Sequence, residues 1–405
     1  MLAAYVAIAC GCIPAFALES DRSISQFVHR AWTTKDGAPG GIQALGQTRD
    51  GYLWLGTNNG LYRFDGVSFE RYEPVKGSPF SSANVYSLLP LQNGDLWIGY
   101  QEGGVSLLHN GTNTNFTQAE GLPPGPVWSL AQDREGAIWA AAGPAIAKFQ
   151  GGRWESRADW KFPGSRSGGI YFDRHGTLWA TNKDSIVFLP RGATKFEPTG
   201  IPVRQVWQFA ESASGRLWMA ETTRSVRPVP LPGHGQAAGG AEIKVGSLAI
   251  LFARDGSLWI TSLGDGVRRL PFPDRPDGGT IDAVESITSK EGLSADQAWA
   301  ILEDKEGNIW VGTVNGLDRF RKGPLLPIEL PGRYGLLGLV AGSDGDVWVG
   351  GLASRLARIH GRAWKLDGPN VSMSSVYHSG GVSGGRGGSH FGGPAGTTPP
   401  MVGGG

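Results

Sequence analysis

The chain has 405 residues, 40% of them apolar and 15 of them tryptophan, with 37 Lys and Arg against 36 Asp and Glu for a net charge of +1. That balance gives no overall field for nucleic acid or anionic lipid, and the apolar and aromatic content excludes a disordered chain. The 64 glycines and 26 prolines exceed ordinary usage and require many turns.

The N-terminus, "MLAAYVAIACGCIPAFALESDRS", is an apolar run ending at a small-x-small site, Ala15-Phe16-Ala17, before charged residues begin. Residues 1–17 are expected to be a secretory signal peptide, although the usual positive n-region is missing. A short buried helix is the alternative, disfavoured by Asp21 and Arg22, and "AIAC" follows too short a run for a lipoprotein box. The two cysteines, Cys10 and Cys12, both lie in this segment, so cleavage would leave neither disulfides nor thiolate chemistry. No later stretch reaches the ~20 apolar residues of a membrane helix.

After this segment, "SQFVHRAWTTKDGAPGG" (25–41) reads as a strand plus turn, and then a phrase begins to recur. "TRDGYLWLGTNNGLYRFDG" (48–66) is echoed by "QNGDLWIGY", "REGAIWAAA", "RHGTLWATN", "ASGRLWMAE", "RDGSLWITS", "KEGNIWVGT" and "SDGDVWVGG". The recurring tryptophans are Trp54, Trp97, Trp139, Trp179, Trp218, Trp259, Trp310 and Trp348, at intervals of 43, 42, 40, 39, 41, 51 and 38 residues. A period near 40 fits a blade of four strands. Each unit has an apolar first strand such as "NVYSLL" (84–89) or "QAWAIL" (297–302), then a Gly turn such as Asp50-Gly51, then the Trp strand. A third strand such as "GLYRF" (60–64) or "GLDRF" (316–320) follows, then a looser outer strand leading to a turn, as in "NFTQAEGLP" (115–123) and "ESITSKEGLS" (285–294).

The period-2 pattern and the many glycines exclude helical solenoids, since glycine costs about 1 kcal/mol inside a helix. The tryptophans are expected to pack between neighbouring sheets, and the small residues after them, such as Gly56, Gly99, Gly312 and Gly350, to let blades approach. The expected fold class is all-β, a β-propeller of four-stranded blades. Residues 25–41 look like a fourth strand without the three before it, and "RKGPLLPIELPG" after "GLDRF" lacks a fourth strand. Closure of the Trp310 blade by residues 26–34 would remove two exposed edges and give seven blades over 25–323. Pairing of 26–34 with residues near 316–321 is the mark of that ring; pairing with 354–361 would make eight. Residues 324–376 are then an additional repeat, the start of a truncated second propeller, and 377–405 a Gly/Ser/Pro-rich flexible tail.

The phrases at 48–66 and 303–320, with the linkers "AEGLPPG" and "KEGLSAD", resemble the two-component regulator propeller repeat over about 25–350. In that family the propeller is the periplasmic sensor part of a membrane protein whose output is a histidine kinase or diguanylate cyclase. The resemblance implies a sensor of this kind. No kinase or cyclase signature stands in these 405 residues.

Little else in the sequence suggests chemistry. The histidines, His29, His109, His175, His234, His360, His378 and His390, form no metal spacing, and His175 occupies a turn position. No nucleophile elbow or phosphate loop is present, and the adjacent Asp and Gly do not fit a sialidase Asp-box. Glu102 and Asp265, near third strands, are candidates to line a mouth; Asp65-Gly66, Asn110-Gly111 and Gln150-Gly151 form a second periodic set of turns. "VRRL" and "DRFRK" are too sparse for a nucleic-acid patch. No catalytic, metal or cofactor residue is assigned, and the ligand-binding residues are unknown. The expected function is a non-enzymatic sensor of a small ligand, carbohydrate or peptide, without its output domain here. A protein-interaction scaffold, or a propeller lyase or glycoside hydrolase, is the alternative, to be separated by whether one-off polar residues converge at the channel mouth.

Overall fold

The turn glycines set the local geometry. In a computed structural model, Gly51, Gly94, Gly136, Gly176, Gly215, Gly256 and Gly307 all have φ between 81° and 95°. Each donates its amide to the carbonyl three residues earlier, as from Gly51 to Thr48 and Gly307 to Asp304, both 3.1 Å. Only glycine enters that region freely, so the chain folds back there and delivers the Trp strand antiparallel to the first strand.

The structure describes residues 22–163, 167–182, 184–230, 242–274, 284–323, 335–342, 345–352, 355–360 and 363–370. The expected signal peptide, with Cys10 and Cys12, and the expected tail from 377 lie outside them, as do His234, His378 and His390. The chain divides into two units, Met1–Leu326 and Pro327–Gly405.

The first unit is all-β, with single turns of 3-10 helix between strands. Its seven sheets begin with Ile42–Gln47, Val85–Pro90, Val127–Gln132, Ser167–Phe172, Val206–Glu211, Ile250–Phe252 and Ala298–Glu303. Four are antiparallel meanders of four strands in chain order. The second gains Lys76–Gly77, parallel to Thr112–Phe116, and the fifth has three described strands. Each first strand packs on the first strand of the next sheet, and Ala298–Glu303 packs back on Ile42–Gln47, so the cycle closes into a β-propeller.

The last sheet is completed by the start of the chain. Val28–Thr33 pairs antiparallel with Gly316–Arg321, with Val28 opposite Arg321 and Thr33 opposite Gly316. The expected pairing of 26–34 with 316–321 is therefore present. The turn after it has a common construction in three places. Thr33, Thr117 and Thr288 cap a 3-10 turn whose third residue, Asp36, Glu120 or Glu291, bonds back to the threonine, and a left-handed glycine ends it. The strand parts of "NFTQAEGLP" and "ESITSKEGLS" accordingly stop at Phe116 and Ile287.

The recurring indoles lie between sheets: Trp54, Trp97, Trp139, Trp179, Trp218, Trp259 and Trp310 are all buried. Trp139, Trp179 and Trp310 also donate Nε1–H to Asp133, Asp173 and Asp304 six residues earlier, at 2.8, 2.9 and 2.7 Å. The acid that shapes the turn therefore also orients the core ring. The small residues after these tryptophans act as expected. A Cβ on Gly56, Gly99 or Gly312 would lie 2.5, 2.7 or 2.5 Å from Val85, Val127 or Ile42, the first residues of the next sheets round the ring.

The second unit contributes one antiparallel sheet, Gly335–Ala341, Val347–Leu352, Arg355–His360 and Ala363–Asn370, with Val349 and Ala357 in its core. Trp348 departs from the expectation for the eighth indole. It is half-buried, with the Arg358 guanidinium 5.5 Å from its ring centre. Among the described residues of this unit that sheet has no second layer to enclose a ring of that size.

Candidate functional site

Eleven residues before the buried tryptophans stand Gln43, Tyr86, Trp128, Gly168, Trp207, Leu248 and Trp299, each in the first strand of its sheet except Leu248, which precedes its strand by two residues. In six of the seven sheets a register shift falls there, between Ile42 and Ala44, Val85 and Ser87, Val127 and Ser129, Ser167 and Ile170, Val206 and Gln208, and Ala298 and Ala300. A bulge leaves one residue unpaired and re-aims its side chain. Gln43, Tyr86, Trp128, Trp207, Leu248 and Trp299 all line one central channel of about 780 Å³, bounded by all seven first strands.

Three of these rings meet across the channel. Tyr86 and Trp128 are 5.1 Å apart and Trp128 and Trp207 4.9 Å apart, both edge-to-face, and Tyr86 and Trp207 are separated by 6.4 Å. They come from the second, third and fifth sheets. The fourth sheet supplies Gly168 and Gly169 instead, where a Cβ would lie 2.3 Å from Thr181 Oγ1 or 2.1 Å from the Trp207 carbonyl oxygen. Lack of a side chain there lets the neighbouring strand approach and brings Trp128 and Trp207 together.

At the end where the first strands begin, the lining joins a polar rim. Gln43 donates to Asn84 (2.9 Å), and Asn84 donates to Gln101 (2.8 Å) and to Glu102 (3.3 Å). The Ser82 hydroxyl donates to Glu102 at 2.6 Å and is the main reason the Glu102 carboxyl is held below the usual glutamate range. At the other end the sheets are tied to one another. Arg174 donates its amide to Glu211 (2.8 Å), Arg254 to Glu303 (2.9 Å) and Lys305 to Gln47 (2.8 Å), each from one sheet's turn to the next sheet's first strand. The third of these links runs across the ring closure. Beside Glu211, burial pushes the Tyr171 phenol up to about 12, with the charges of Glu211 and Asp173 adding to the effect.

Of the two mouth candidates, the structure brings Glu102 to the rim, whereas Asp265 is paired with Arg268 at 3.1 Å. His29 sits on the closing strand, His109 ends a third strand, and His175 is a turn residue whose amide donates to Asp173. His360 ends a strand of the second unit. Among the described residues no cluster of three or more His, Cys, Asp or Glu could hold a metal, and no helix is long and apolar enough to cross a membrane. The channel aromatics were missed by sequence reading. Their signal is the constant offset of 11 from the core tryptophans, which the varied residues at that position conceal.

Residues 36–59, 121–143 and 292–315 match the two component regulator propeller. The chain thus carries repeats of that family. Its fold also matches the extracellular domains of two B. thetaiotaomicron proteins assigned as hybrid two-component systems, with TM-scores of 0.63 and 0.58 and identities of 14% and 18%. These cover 85% and 84% of this chain and 55% and 46% of theirs, so the chain spans about half their length. A catalytically inactive variant of virginiamycin B lyase from Staphylococcus aureus, with quinupristin, matches at a TM-score of 0.59 and 16% identity over 73% of this chain and 99% of that one. Identities this low establish the fold alone. No curated protein matches the sequence.

Proposed function

We propose that the chain is the exported, ligand-sensing part of a signal-transduction receptor, a seven-bladed propeller over residues 25–323 that binds a small ligand in its central channel and performs no chemistry on it. Residues 1–17 act as its export signal to the periplasm, and the phrase around Trp348 is a further repeat of the same kind. A histidine kinase or diguanylate cyclase region elsewhere in the receptor supplies the output. The regulator-propeller matches and the fold shared with two extracellular domains favour this reading. Its single strongest support is the aromatic set of Tyr86, Trp128, Trp207 and Trp299 on the wall of a channel of about 780 Å³. Rings that are half-buried on a channel wall give a ligand apolar area and directional contact, and a ligand binding one ring posture better than another shifts the population toward it.

A thermal-shift and tryptophan-fluorescence screen of the full chain against oligosaccharides and peptides tests the proposal. The expected hit raises Tm, changes the emission, and loses both effects in Trp299→Leu with an unchanged circular dichroism spectrum. A panel without hits on folded protein, or a hit indifferent to both Trp128→Leu and Trp299→Leu, overturns the channel as the binding site.

A further inference from the structure

The channel has a definite electrostatic character. Tyr86, Trp128, Tyr171, Trp207 and Trp299 share its wall with amide side chains such as Gln43 and Gln208, and no Lys, Arg or His is among its described lining residues. The one carboxylate among the described wall residues, Glu211, is already engaged by the Arg174 amide and guanidinium. At the rim, Glu102 is exposed and makes no ion pair among the described residues; it accepts from Ser82 and Asn84, and Asn84 in turn holds Gln43 on the channel wall. The hydrogen bonds therefore anchor a free negative charge at the entrance of an aromatic channel.

Aromatic faces carry the negative end of a quadrupole and attract cations. An anion entering here meets ring faces and a carboxylate with no cation among the described wall residues to offset them. A neutral ligand gains stacking and hydrogen bonds but nothing from Glu102. The packed cluster of Tyr86, Trp128 and Trp207, with neighbouring ring centres about 5 Å apart, leaves no space for a guest between its members, so the guest lies in the channel between the cluster and Trp299.

We propose that the channel takes a cationic organic ligand, an alkylammonium group on an apolar body, drawn in by Glu102 and held against Trp299 and the Tyr86–Trp128–Trp207 cluster. This deepens the sensor reading and rests on the channel being the binding site.

Fluorescence titration of the full chain with choline and with its uncharged isostere, 3,3-dimethylbutan-1-ol, tests it. Choline is expected to bind about tenfold tighter than the alcohol. Glu102→Gln is expected to weaken choline about threefold and flatten its salt dependence while leaving the alcohol unchanged, because the lost term is screened charge. Trp299→Leu is expected to weaken choline about tenfold with the circular dichroism spectrum unchanged. Equal or weaker binding of choline than of the alcohol, or a Glu102→Gln protein with full choline affinity, overturns the proposal. If a neutral sugar or peptide binds in a Trp299-dependent way and choline does not, the cation inference fails and the sensor reading stands. If neither choline nor any member of the earlier panel binds, both fail.

Discussion

His29 Nε2 lies 2.8 Å from Asp318 Oδ1, joining the strand that begins the ring to the strand that ends it. Asp318 is fully buried and also accepts from the Ser294 amide at 3.1 Å and from the Ser294 hydroxyl, while the His29 ring stacks on Phe320 at 4.7 Å. Asp318→Ala would leave several donors facing an apolar seam. The expected loss is about 3 kcal/mol in urea unfolding, with a smaller loss for Asp318→Asn. A loss under about 1 kcal/mol would show that the seam closes by backbone pairing alone.

The acids under the core indoles carry a second prediction. Asp304 accepts from Trp310 Nε1, from the Asn308 backbone amide and from Asn308 Nδ2, all at 2.7 Å, so Asp304→Ala removes the acceptor of three donors in one step and should cost about 2–3 kcal/mol. Trp218 shows a milder natural case. Ser212 occupies the acid's place, and Trp218 Nε1 has no partner among the described residues.

The same acids set the acid limit of stability. Burial works against the charge of Asp133, but the Trp139 indole, the Ala137 amide and Lys148 hold its carboxyl below the ordinary aspartate value of 3.8. A depressed carboxyl adds stability that is fully present above its unfolded value and lost as pH falls through its folded one. The exposed capping acids Asp36, Glu120 and Glu291 are lowered as well, chiefly by bonds from their own threonines. Tm should therefore decline below about pH 4, and Asp133→Asn should have a lower Tm at pH 7 and a shallower acid decline. An acid limb as steep as wild type in Asp133→Asn would assign the loss to other groups.

Glu303 has the opposite sign. Burial raises its carboxyl, outweighing the Arg254 amide and guanidinium that favour the charge. A raised acid favours the fold below its unfolded value and withdraws that support as pH rises through the folded value. Gln47 and Gln132 fill the equivalent strand position, and Gln47 accepts the matching amide bond from Lys305. Glu303→Gln should be more stable than wild type at pH 7, with the advantage vanishing toward pH 4. Lower stability at pH 7 would mean that the Arg254 ion pair outweighs the desolvation.

Gly169 links stability to the channel. An added methyl would lie 2.1 Å from the Trp207 carbonyl oxygen, which is backbone and cannot turn aside. Gly169→Ala should cost about 1–3 kcal/mol and shift the tryptophan emission as Trp207 moves off Trp128. An unshifted spectrum would show that the ring cluster holds without this close approach.

Much of the architecture was legible because it is written several times over. Gly51 and its six counterparts stand at one offset from a tryptophan, and each needs the same left-handed backbone. The closing strand was legible too, because Thr33-x-x-Asp36-Gly37 repeats the capped turns at Thr117 and Thr288. The channel was hidden by the opposite property. At one position the seven sheets carry Gln, Tyr, Trp, Gly, Trp, Leu and Trp, a series without a consensus, and bulges reveal all but the Leu as equivalent. Glu102 was picked out as a mouth carboxylate, but its link through Asn84 to Gln43 crosses between sheets and has no trace in local sequence. Trp348 carries the repeat phrase too, yet it is half-buried where its seven counterparts are buried, a difference the phrase does not encode.

The seam has a mechanical consequence. Arg22 donates to the Gly323 carbonyl at 3.3 Å, and Val28 faces Arg321, so both tails leave from the same end of one antiparallel pair. A pull on those tails would load the ladder like a zipper, rung after rung from Val28 toward Thr33, instead of straining every rung together. Under tension the disc would therefore spring open at a low, graded force, as a horseshoe whose remaining wedges are still folded.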